Sequence, residues 1–318
     1  MTMRIPALFL AVLALPAQAQ DFPQTIPHKF GSAEIAAQPD RIATLDFAGA
    51  DDLLALGVQP VLIRNWYGDY PRAVWPWAED LLQGAPDILR GDLNAEQVAA
   101  AAPDVILSLW SGITDAEYAQ LARIAPVVAV PEGVGDYALP WDERAVIAGR
   151  AIGREAEAQA QVDAIHQQLA DIAAAHPEWQ GKTAVTASAF DGTVGAYTSQ
   201  DVRPQLLEQL GFVTPQQIDS RTDGNDFWVT LSHEDLSPLD ADLLIWISSD
   251  GGFTEVESLV ARPFLTAHTE GHEVLLGKEM SGAFSHASLL SLPFLIDRLV
   301  PMIEAALDDD PQTHADDR

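Results

Sequence analysis

The chain has 318 residues, with 47 Asp and Glu against 17 Lys and Arg, which gives a formal net charge of -30. A surface this acidic repels nucleic acid and anionic membrane, so neither is expected as a partner. The sequence contains no cysteine, and a chain of this length can form two domains without disulfides.

The first 20 residues predict an export signal. Arg4 precedes an apolar run at residues 5–15, which is followed by Ala17, Gln18 and Ala19. This order is typical of a secretory signal peptide that is cut after Ala19. The apolar run is shorter than the roughly 20 residues that a membrane-spanning helix needs. We therefore expect residues 1–19 to be removed and the mature chain to reach the periplasm without inserting into a membrane.

Residues 20–140 are predicted to form a first α/β lobe. Apolar runs that suit strands, "RIATLDF", "VQPVLIRNW", "DVILSLW" and "VVAVPE", alternate with helical segments. The helical segments are "ADDLLALG", a helix that opens at Asn94, and a helix over residues 115–124. Alternation of this kind builds a mostly parallel sheet that is covered by helices.

Residues 141–177 are predicted to form one long linking helix. In its second half Val162, Ile165, Leu169 and Ile172 recur at spacings of three and four, which places them on one face. Because no loop interrupts this half, the helix should resist bending, and movements of the lobes should be small.

A second α/β lobe is predicted over residues 178–307. It begins with "KTAVTASAF" and "TVGAYT", continues through "RPQLLEQLGF" and "HEVLL", and ends in a helix over residues 288–307. Trp246 lies inside a strand, so its side chain should belong to the core. The acidic tail, residues 308–318, is expected to be disordered.

One segment occurs in both lobes. "LNAEQVAAAAPDVILSLW" at 93–110 and "LSHEDLSPLDADLLIWIS" at 231–248 share a Glu three positions after the first Leu (Glu96, Glu234) and an Asp eight positions later. Each is predicted to be a helix followed by a core strand, with Asn94 or Ser232 as the N-cap. The helix dipole favours acid in the first turn, so helix formation alone can account for both glutamates.

Seven segments, by their order and spacing, resemble a known family over essentially the whole mature chain. They are "RIATLDFAGADDLLALGV", "LNAEQVAAAAPDVIL", "SGITDAEYAQLARIAPVV", "PWDERAVIAGRAIGRE", "YTSQDVRPQLLEQLGF", "LSHEDLSPLDADLLIW" and "SLLSLPFLIDRLVP". The resemblance is to the class III periplasmic substrate-binding proteins of ABC importers for ferric siderophores, haem and cobalamin. The resemblance implies two Rossmann-like lobes with mostly parallel sheets joined by one long helix. It also implies a monomeric binding protein, not an enzyme, that delivers its ligand to an inner-membrane permease. Glu96 and Glu234 would dock on the permease, on the side opposite the ligand.

The resemblance places the ligand in the cleft between the lobes, where the carboxyl ends of the parallel strands meet. Aromatic residues are frequent at these strand ends and can cover a flat, apolar ligand. The expected contacts are Trp66, Tyr67, Trp110, Trp141, Tyr197, Arg203 and Trp228.

Few arginines lie in this predicted cleft. Ser111 and Asp250 stand where members that bind strongly anionic complexes carry arginine. Arg64, Arg221 and Arg262 are further candidates, but surface charges explain them more simply. A ferric siderophore of the neutral or weakly charged hydroxamate type therefore fits best.

Three alternatives remain. Haem or cobalamin is the second choice of ligand, and Tyr67 or Tyr197 could serve haem as axial ligand. An exported α/β hydrolase is the alternative of another class, with Ser281, Ser285 and His286 as its nearest cluster, although no G-x-S-x-G motif is present. His268 and His272 have metal-ligand spacing, but no third ligand lies near them, so no metal site and no cofactor are expected apart from the iron of the cargo.

Overall fold

A computed structural model describes residues 22–222, 226–308, 310–313 and 315–317. The predicted signal peptide at residues 1–19 lies outside the described residues. Within the described ranges, no helix combines the length and the apolar character that crossing a membrane requires.

The first lobe is built on a five-stranded parallel sheet, and a small antiparallel hairpin, formed by residues 24–28 and 31–35, packs against its edge strand at residues 127–129. The strand order is β5-β4-β3-β6-β7, and every pair is parallel, as the alternating pattern predicts. The strands are β1 (Gln24–His28), β2 (Gly31–Ile35), β3 (Ile42–Thr44), β4 (Leu62–Asn65), β5 (Asp87–Arg90), β6 (Val105–Ser108) and β7 (Val127–Ala129). The helices are α1 (Asp51–Ala55), α2 (Pro76–Glu79), α3 (Ala95–Ala100) and α4 (Asp115–Leu121).

The second lobe contains a six-stranded mixed sheet. Its strand order is β10-β9-β8-β11-β12-β13, and β9 runs antiparallel to both of its neighbours. The strands are β8 (Ala184–Phe190), β9 (Thr193–Tyr197), β10 (Trp228–Leu231), β11 (Leu243–Ile247), β12 (Glu273–Leu276) and β13 (Ala315–Asp316). The helices that follow the linker are α7 (Val202–Gln209), α8 (Gln216–Asp219), α9 (Thr254–Ser258), α10 (Thr266–Thr269), α11 (Lys278–His286) and α12 (Ser291–Ala306). Trp246, on β11, is fully buried, as predicted.

The linker consists of two helices, so the prediction of one helix over residues 141–177 is wrong in this respect. α5 (Trp141–Ala151) and α6 (Glu155–Ala175) pack against each other. Gly153 between them has a φ of 75°, a left-handed conformation that glycine adopts without strain and that ends a helix. The long helix is α6, whose 21 residues span about 30 Å. Its predicted apolar face is confirmed, because Val162, Ile165 and Leu169 are buried.

Two further expectations need correction. The described part of the tail is ordered against the second sheet, because Ala315 and Asp316 pair with Val274 and Leu275 of β12. The helix expected after Ser232 is also absent, because residues 232–235 form a turn and a short 3-10 helix follows at Ser237–Leu239. In the first lobe the predicted N-cap is confirmed, since Asn94 Oδ1 accepts hydrogen bonds from the backbone of α3.

The repeated aspartates have a structural role in both lobes. The Asp104 carboxylate accepts a hydrogen bond from the backbone N–H of Arg41, directly before β3, at 2.9 Å. The Asp242 carboxylate accepts one from the backbone N–H of Thr183, directly before β8, at 2.6 Å. Each aspartate therefore fixes the start of a central strand, which explains this half of the repeat without reference to a partner.

A buried ion pair joins the lobes. Arg144 on α5 contacts Asp52 on α1, with Nε 3.2 Å from Oδ2, and Arg144 is 1% exposed. The guanidinium also donates from Nη2 to the backbone carbonyls of His286 and Ala287, in the corner between α11 and α12 at residues 286–291, at 3.1 and 2.6 Å. The other carboxylate oxygen of Asp52 accepts from Leu289 N at 3.0 Å. The pair thus connects the first lobe, the linker and the corner. We call this set of contacts, made by Arg144 and Asp52 with residues 286–289, the junction.

Asp51 adds a second acid to the junction. Its Oδ2 accepts hydrogen bonds from Ser288 Oγ at 2.6 Å and from Trp77 Nε1 at 2.7 Å. Burial raises the pKa of this carboxyl to about 7, although both hydrogen bonds favour the ionised form. α12 packs against α2 as well as β12, so the end of the chain bridges the two lobes.

Replacing Arg144 with methionine should lower the free energy of unfolding by about 3–5 kcal/mol, because Asp52 would stay buried without its counter-charge. Urea denaturation followed by circular dichroism measures the change. The control is Arg154→Met, which removes a partly exposed pair with Glu157 and should cost less than about 1 kcal/mol. Equal losses in the two variants would show that the junction does not depend on this ion pair.

The Asp51 carboxyl should make stability depend on pH. A carboxyl whose pKa is raised on folding stabilises the protein fully below its unfolded pKa, and this contribution is lost as the pH rises through the folded pKa. Asparagine keeps an acceptor oxygen and does not titrate. Between about pH 5 and about pH 7.5, the wild type should lose more than about 1 kcal/mol relative to Asp51→Asn. Denaturation curves over this range measure it, and a constant difference between the two proteins would refute it.

Candidate functional site

A cavity of about 380 Å³ lies between the lobes. The first lobe supplies Trp66 and Tyr67, which follow the carboxyl end of β4. The second lobe supplies residues from β8 to β11, including Ile247 at the end of β11, and from helices α7 and α11. The cavity therefore lies where strand ends meet, as expected for a parallel sheet.

The walls of the cavity are mainly aromatic. Six aromatic residues line it, and they are Trp66, Tyr67, Phe190, Tyr197, Phe227 and Trp228. Tyr197 and Trp228 pair directly across β9 and β10, with ring centroids 4.8 Å apart in an edge-to-face arrangement. Gly195 makes room for this arrangement, because a Cβ there would lie 2.5 Å from the Trp228 ring. Phe190 and Phe227 are the most exposed of the six and lie at the cavity mouth.

Arg203, in the first turn of α7, is the one charged side chain among the described residues that line the cavity. Its Nη1 contacts both carboxylate oxygens of Asp201 at 2.8 and 2.9 Å. Its Nη2 donates to Ser285 Oγ at 2.8 Å, and its guanidinium lies 4.1 Å from the centroid of the Tyr197 ring. Burial disfavours this charge, but Asp201 raises the pKa of Arg203 above its ordinary value. Arg203 is therefore a cation under all ordinary conditions.

The remaining polar groups of the cavity are hydroxyls. They are those of Ser188, Thr193, Ser249, Ser281 and Ser285, together with the tyrosine phenols. Tyr67 reaches across the cleft from the first lobe, and burial raises the pKa of its phenol to about 12 despite a hydrogen bond with Ser285. The phenol therefore stays neutral, and the cavity offers hydrogen bonds with very little charge.

The structure brings five of the seven predicted ligand residues to the cavity: Trp66, Tyr67, Tyr197, Arg203 and Trp228. Trp110 is 6% exposed and packs edge-to-face behind Trp66, with ring centroids 5.3 Å apart, so it supports the wall without lining it. Trp141 is 3% exposed within the core and packs against His166 of α6. The structure therefore does not bring Trp141 to the cavity, and we drop it from the proposed contacts.

The additional arginine candidates lie away from the cavity lining. Arg64 packs over the ring of Phe47 at 4.5 Å. Arg221, just after α8, donates to the Gln217 carbonyl in that helix. Arg262 forms an ion pair with Glu273 at 2.8 Å.

Several lining residues are missing from the predicted set. Phe190 and Phe227 could have been found, because each lies at or beside a strand end. Ser281 and Ser285 lie on α11, a helix that the sequence analysis did not predict. These hydroxyls become part of the site because α11 packs against α7, where Ser285 contacts Arg203.

Glu96 and Glu234 are both exposed, and neither side chain forms a hydrogen bond or an ion pair with any residue in the described ranges. Glu96 lies in the first turn of α3, which follows the carboxyl end of β5. Glu234 follows β10, which runs in the same direction as β8 and β11. Both acids thus lie at the sheet edge that also forms the cavity, so the expectation that they lie on the opposite side is wrong.

The serine and histidine cluster is not arranged for nucleophilic catalysis. Ser281 Oγ donates to the Leu276 carbonyl at 2.6 Å, and Ser285 Oγ donates to the Ser281 carbonyl at 2.7 Å. His286 Nδ1 donates to the Gly282 carbonyl at 2.8 Å, and burial lowers its pKa to about 3. Within the described part of the chain no hydrogen bond joins a serine of this cluster to His286, as a serine nucleophile and its base would require.

The two histidines with metal-ligand spacing, His268 and His272, each lie near a carboxylate. His268 bonds through Nδ1 to the Glu273 carboxylate, at 2.5 Å. Among the described residues, no group of three or more His, Cys, Asp or Glu side chains is placed to hold a metal ion.

Two lobes on either side of an aromatic cavity, joined through helices, define a two-lobed solute-binding protein. The family model described as periplasmic binding protein matches residues 42–278, and the chain belongs to this family. The predicted fold class is therefore confirmed: α/β, with two lobes whose sheets are mostly parallel and a linker that contains a long helix.

Similar proteins include a probable siderophore-binding lipoprotein, YfiY, of Bacillus subtilis, which is 26% identical over 71% of this chain and 69% of its own. A periplasmic solute binding protein of Mycobacterium smegmatis superposes with a TM-score of 0.77 at 32% identity, over 89% of this chain and 98% of its own. PiaA of Streptococcus pneumoniae in complex with ferrichrome superposes with a TM-score of 0.75 at 25% identity, over 90% of this chain and 99% of its own.

Proposed function

We propose that this protein captures a ferric siderophore in the cavity between its lobes and delivers it to the permease of an ABC importer. Residues 1–19 would direct its export to the periplasm, where it would act as a binding protein without catalysis. The observation that carries the proposal is the aromatic cavity, in which Trp66 and Tyr67 face Tyr197 and Trp228 across the cleft. Rigid aromatic side chains cover a bulky chelate with little loss of conformational entropy.

The polar groups of the cavity favour a hydroxamate siderophore. A ferric tris-hydroxamate presents oxygen acceptors and little net charge, which suits Tyr67, the serine hydroxyls and a single arginine. A trianionic catecholate complex would instead require several unpaired cations, because a buried charge without a counter-charge is costly. Iron would enter as part of this cargo, already coordinated.

Haem is supported less well. An axial tyrosine must bind ferric iron as the phenolate, but burial raises the pKa values of both Tyr67 and Tyr197. His286 is neutral, but it lies 3% exposed, among the rings of Trp66 and Tyr67. Burial therefore disfavours the phenolate form of both tyrosines, and aromatic rings enclose His286, so the site suits haem less well than a hydroxamate complex.

We further propose that Glu96 and Glu234 dock the protein on the permease. Each belongs to one lobe, is exposed, and has no partner within the described residues, so both carboxylates are available to basic residues of another protein. Two matched acidic contacts suit a permease made of two similar halves. Exposed ion pairs of this kind affect the rate of encounter and the relative orientation of the two proteins more than they affect the affinity.

Ferrichrome or ferrioxamine B should quench the tryptophan fluorescence of the protein, because a ligand in the cavity contacts Trp66 and Trp228. Trp228→Ala should weaken binding by at least about tenfold, since a large buried aromatic surface is lost. Phe264→Ala is the control, because Phe264 is 84% exposed away from the cavity, and its affinity should equal that of the wild type. A Soret band on addition of haem, without quenching by hydroxamate complexes, would reject the siderophore in favour of haem.

The double variant Glu96→Lys with Glu234→Lys should reduce uptake of the ferric siderophore by cells at least about tenfold, because repulsion would replace two attractive contacts. Its affinity for the cargo should be unchanged, since neither residue lines the cavity. Asp163→Lys with Asp171→Lys reverses two exposed acids on α6 and is the matched control, for which uptake should persist. Normal uptake by the Glu96 and Glu234 variant would refute the docking assignment.

A further inference from the structure

We propose that Asp201, which does not line the cavity, determines the charge of the cargo by neutralising Arg203. This inference rests on the proposed function and adds a specificity-determining residue to the same site. It starts from the observation that the one cation among the described lining residues is already paired.

The pair is buried and well aligned. Asp201 and Arg203 are each 6% exposed, and one guanidinium nitrogen lies within 2.9 Å of both carboxylate oxygens. At this separation the carboxylate cancels most of the field that Arg203 would otherwise project into the cavity. Screening by solvent and salt is weak at such a buried site, so the cancellation persists at physiological ionic strength.

Arg203 lines the cavity with its charge already paired. Its Nη1 is held by Asp201 and its Nη2 by Ser285, while its Nε is buried away from the cavity space and has no partner among the residues that the structure describes. The Arg203–Asp201 pair as a whole carries no net charge, so the part of Arg203 that lines the cavity suits a neutral ligand.

The position of Asp201 also has a simpler explanation, because its Oδ1 accepts a hydrogen bond from the backbone of Arg203 and so caps α7. Asparagine caps helices about as well as aspartate does. The substitution Asp201→Asn therefore removes the charge and keeps the cap, which separates the two roles.

The test uses the full-length mature protein and two cargoes of similar size, uncharged ferrichrome and trianionic ferric enterobactin, each titrated by fluorescence quenching. In Asp201→Asn the ratio of the association constants, enterobactin over ferrichrome, should rise at least about tenfold, because an unpaired cation attracts the anion. The double variant Asp201→Asn with Arg203→Gln removes both charges, and its ratio should return to within about threefold of the wild type. Melting curves establish that each variant is folded.

The double variant also carries the test if Asp201→Asn alone does not fold, since removing both partners avoids an unpaired buried charge. If Arg203 were an active cation in the wild type, the double variant would lose enterobactin selectively, and the inference would be overturned. A purely structural role would weaken both complexes equally and leave the ratio of Asp201→Asn unchanged, which would also overturn it. If the wild type bound neither complex, the proposed function itself would fail, and the inference with it.

Discussion

The arrangement of the lobes depends on the buried ion pair between Arg144 and Asp52. Each of these charges would be costly alone in the interior, so the two residues must meet, and Arg144 must also reach the carbonyls of His286 and Ala287. These contacts fix α5, α1 and the α11–α12 corner relative to one another. The same guanidinium lies 5.5 Å from the centroid of the Trp110 ring, and Trp110 packs behind Trp66. The junction therefore positions the cavity wall as well as the lobes.

The two lobes contribute unequally to the cavity. The first supplies a pair of aromatic rings, Trp66 and Tyr67, whereas the second supplies the guanidinium, the serine hydroxyls and the other aromatic side chains. Polar recognition is thus concentrated in one lobe, and the other mainly covers the ligand. Such a division allows a ligand to bind first to the second lobe and then to be enclosed by a small movement of the first. Tyr67 joins the two contributions through Ser285.

Much of the fold could be predicted because short-range patterns determine it. Alternating strands and helices, the apolar face of Val162, Ile165 and Leu169, and the cap at Asn94 all follow from neighbouring residues. The break at Gly153 was harder to predict, since a single glycine in a helical pattern is often tolerated. The prediction of an α-helix after Ser232 was wrong, because that segment forms a turn and a 3-10 helix.

The residues of the site, too, could be predicted only in part. Aromatic residues at strand ends could be placed near the ligand, but strand position alone does not distinguish Trp66, which lines the cavity, from Trp110, which lies behind it. Trp141 begins a helix, as predicted, but its side chain points into the core and not toward the ligand. The junction could not be predicted at all, because Asp52, Arg144 and Leu289 are far apart in sequence and no local pattern relates them.

The location of both docking glutamates at the carboxyl ends of the strands, beside the cavity, has a further consequence. Glu96, Glu234 and the cavity all lie toward the carboxyl ends of the strands, so a carrier anchored through these glutamates would turn its opening to the translocation pathway. Its cargo would then be shielded from the surrounding fluid at the moment of transfer. Unloading would require only that the lobes part slightly, with no reorientation of the carrier on the membrane.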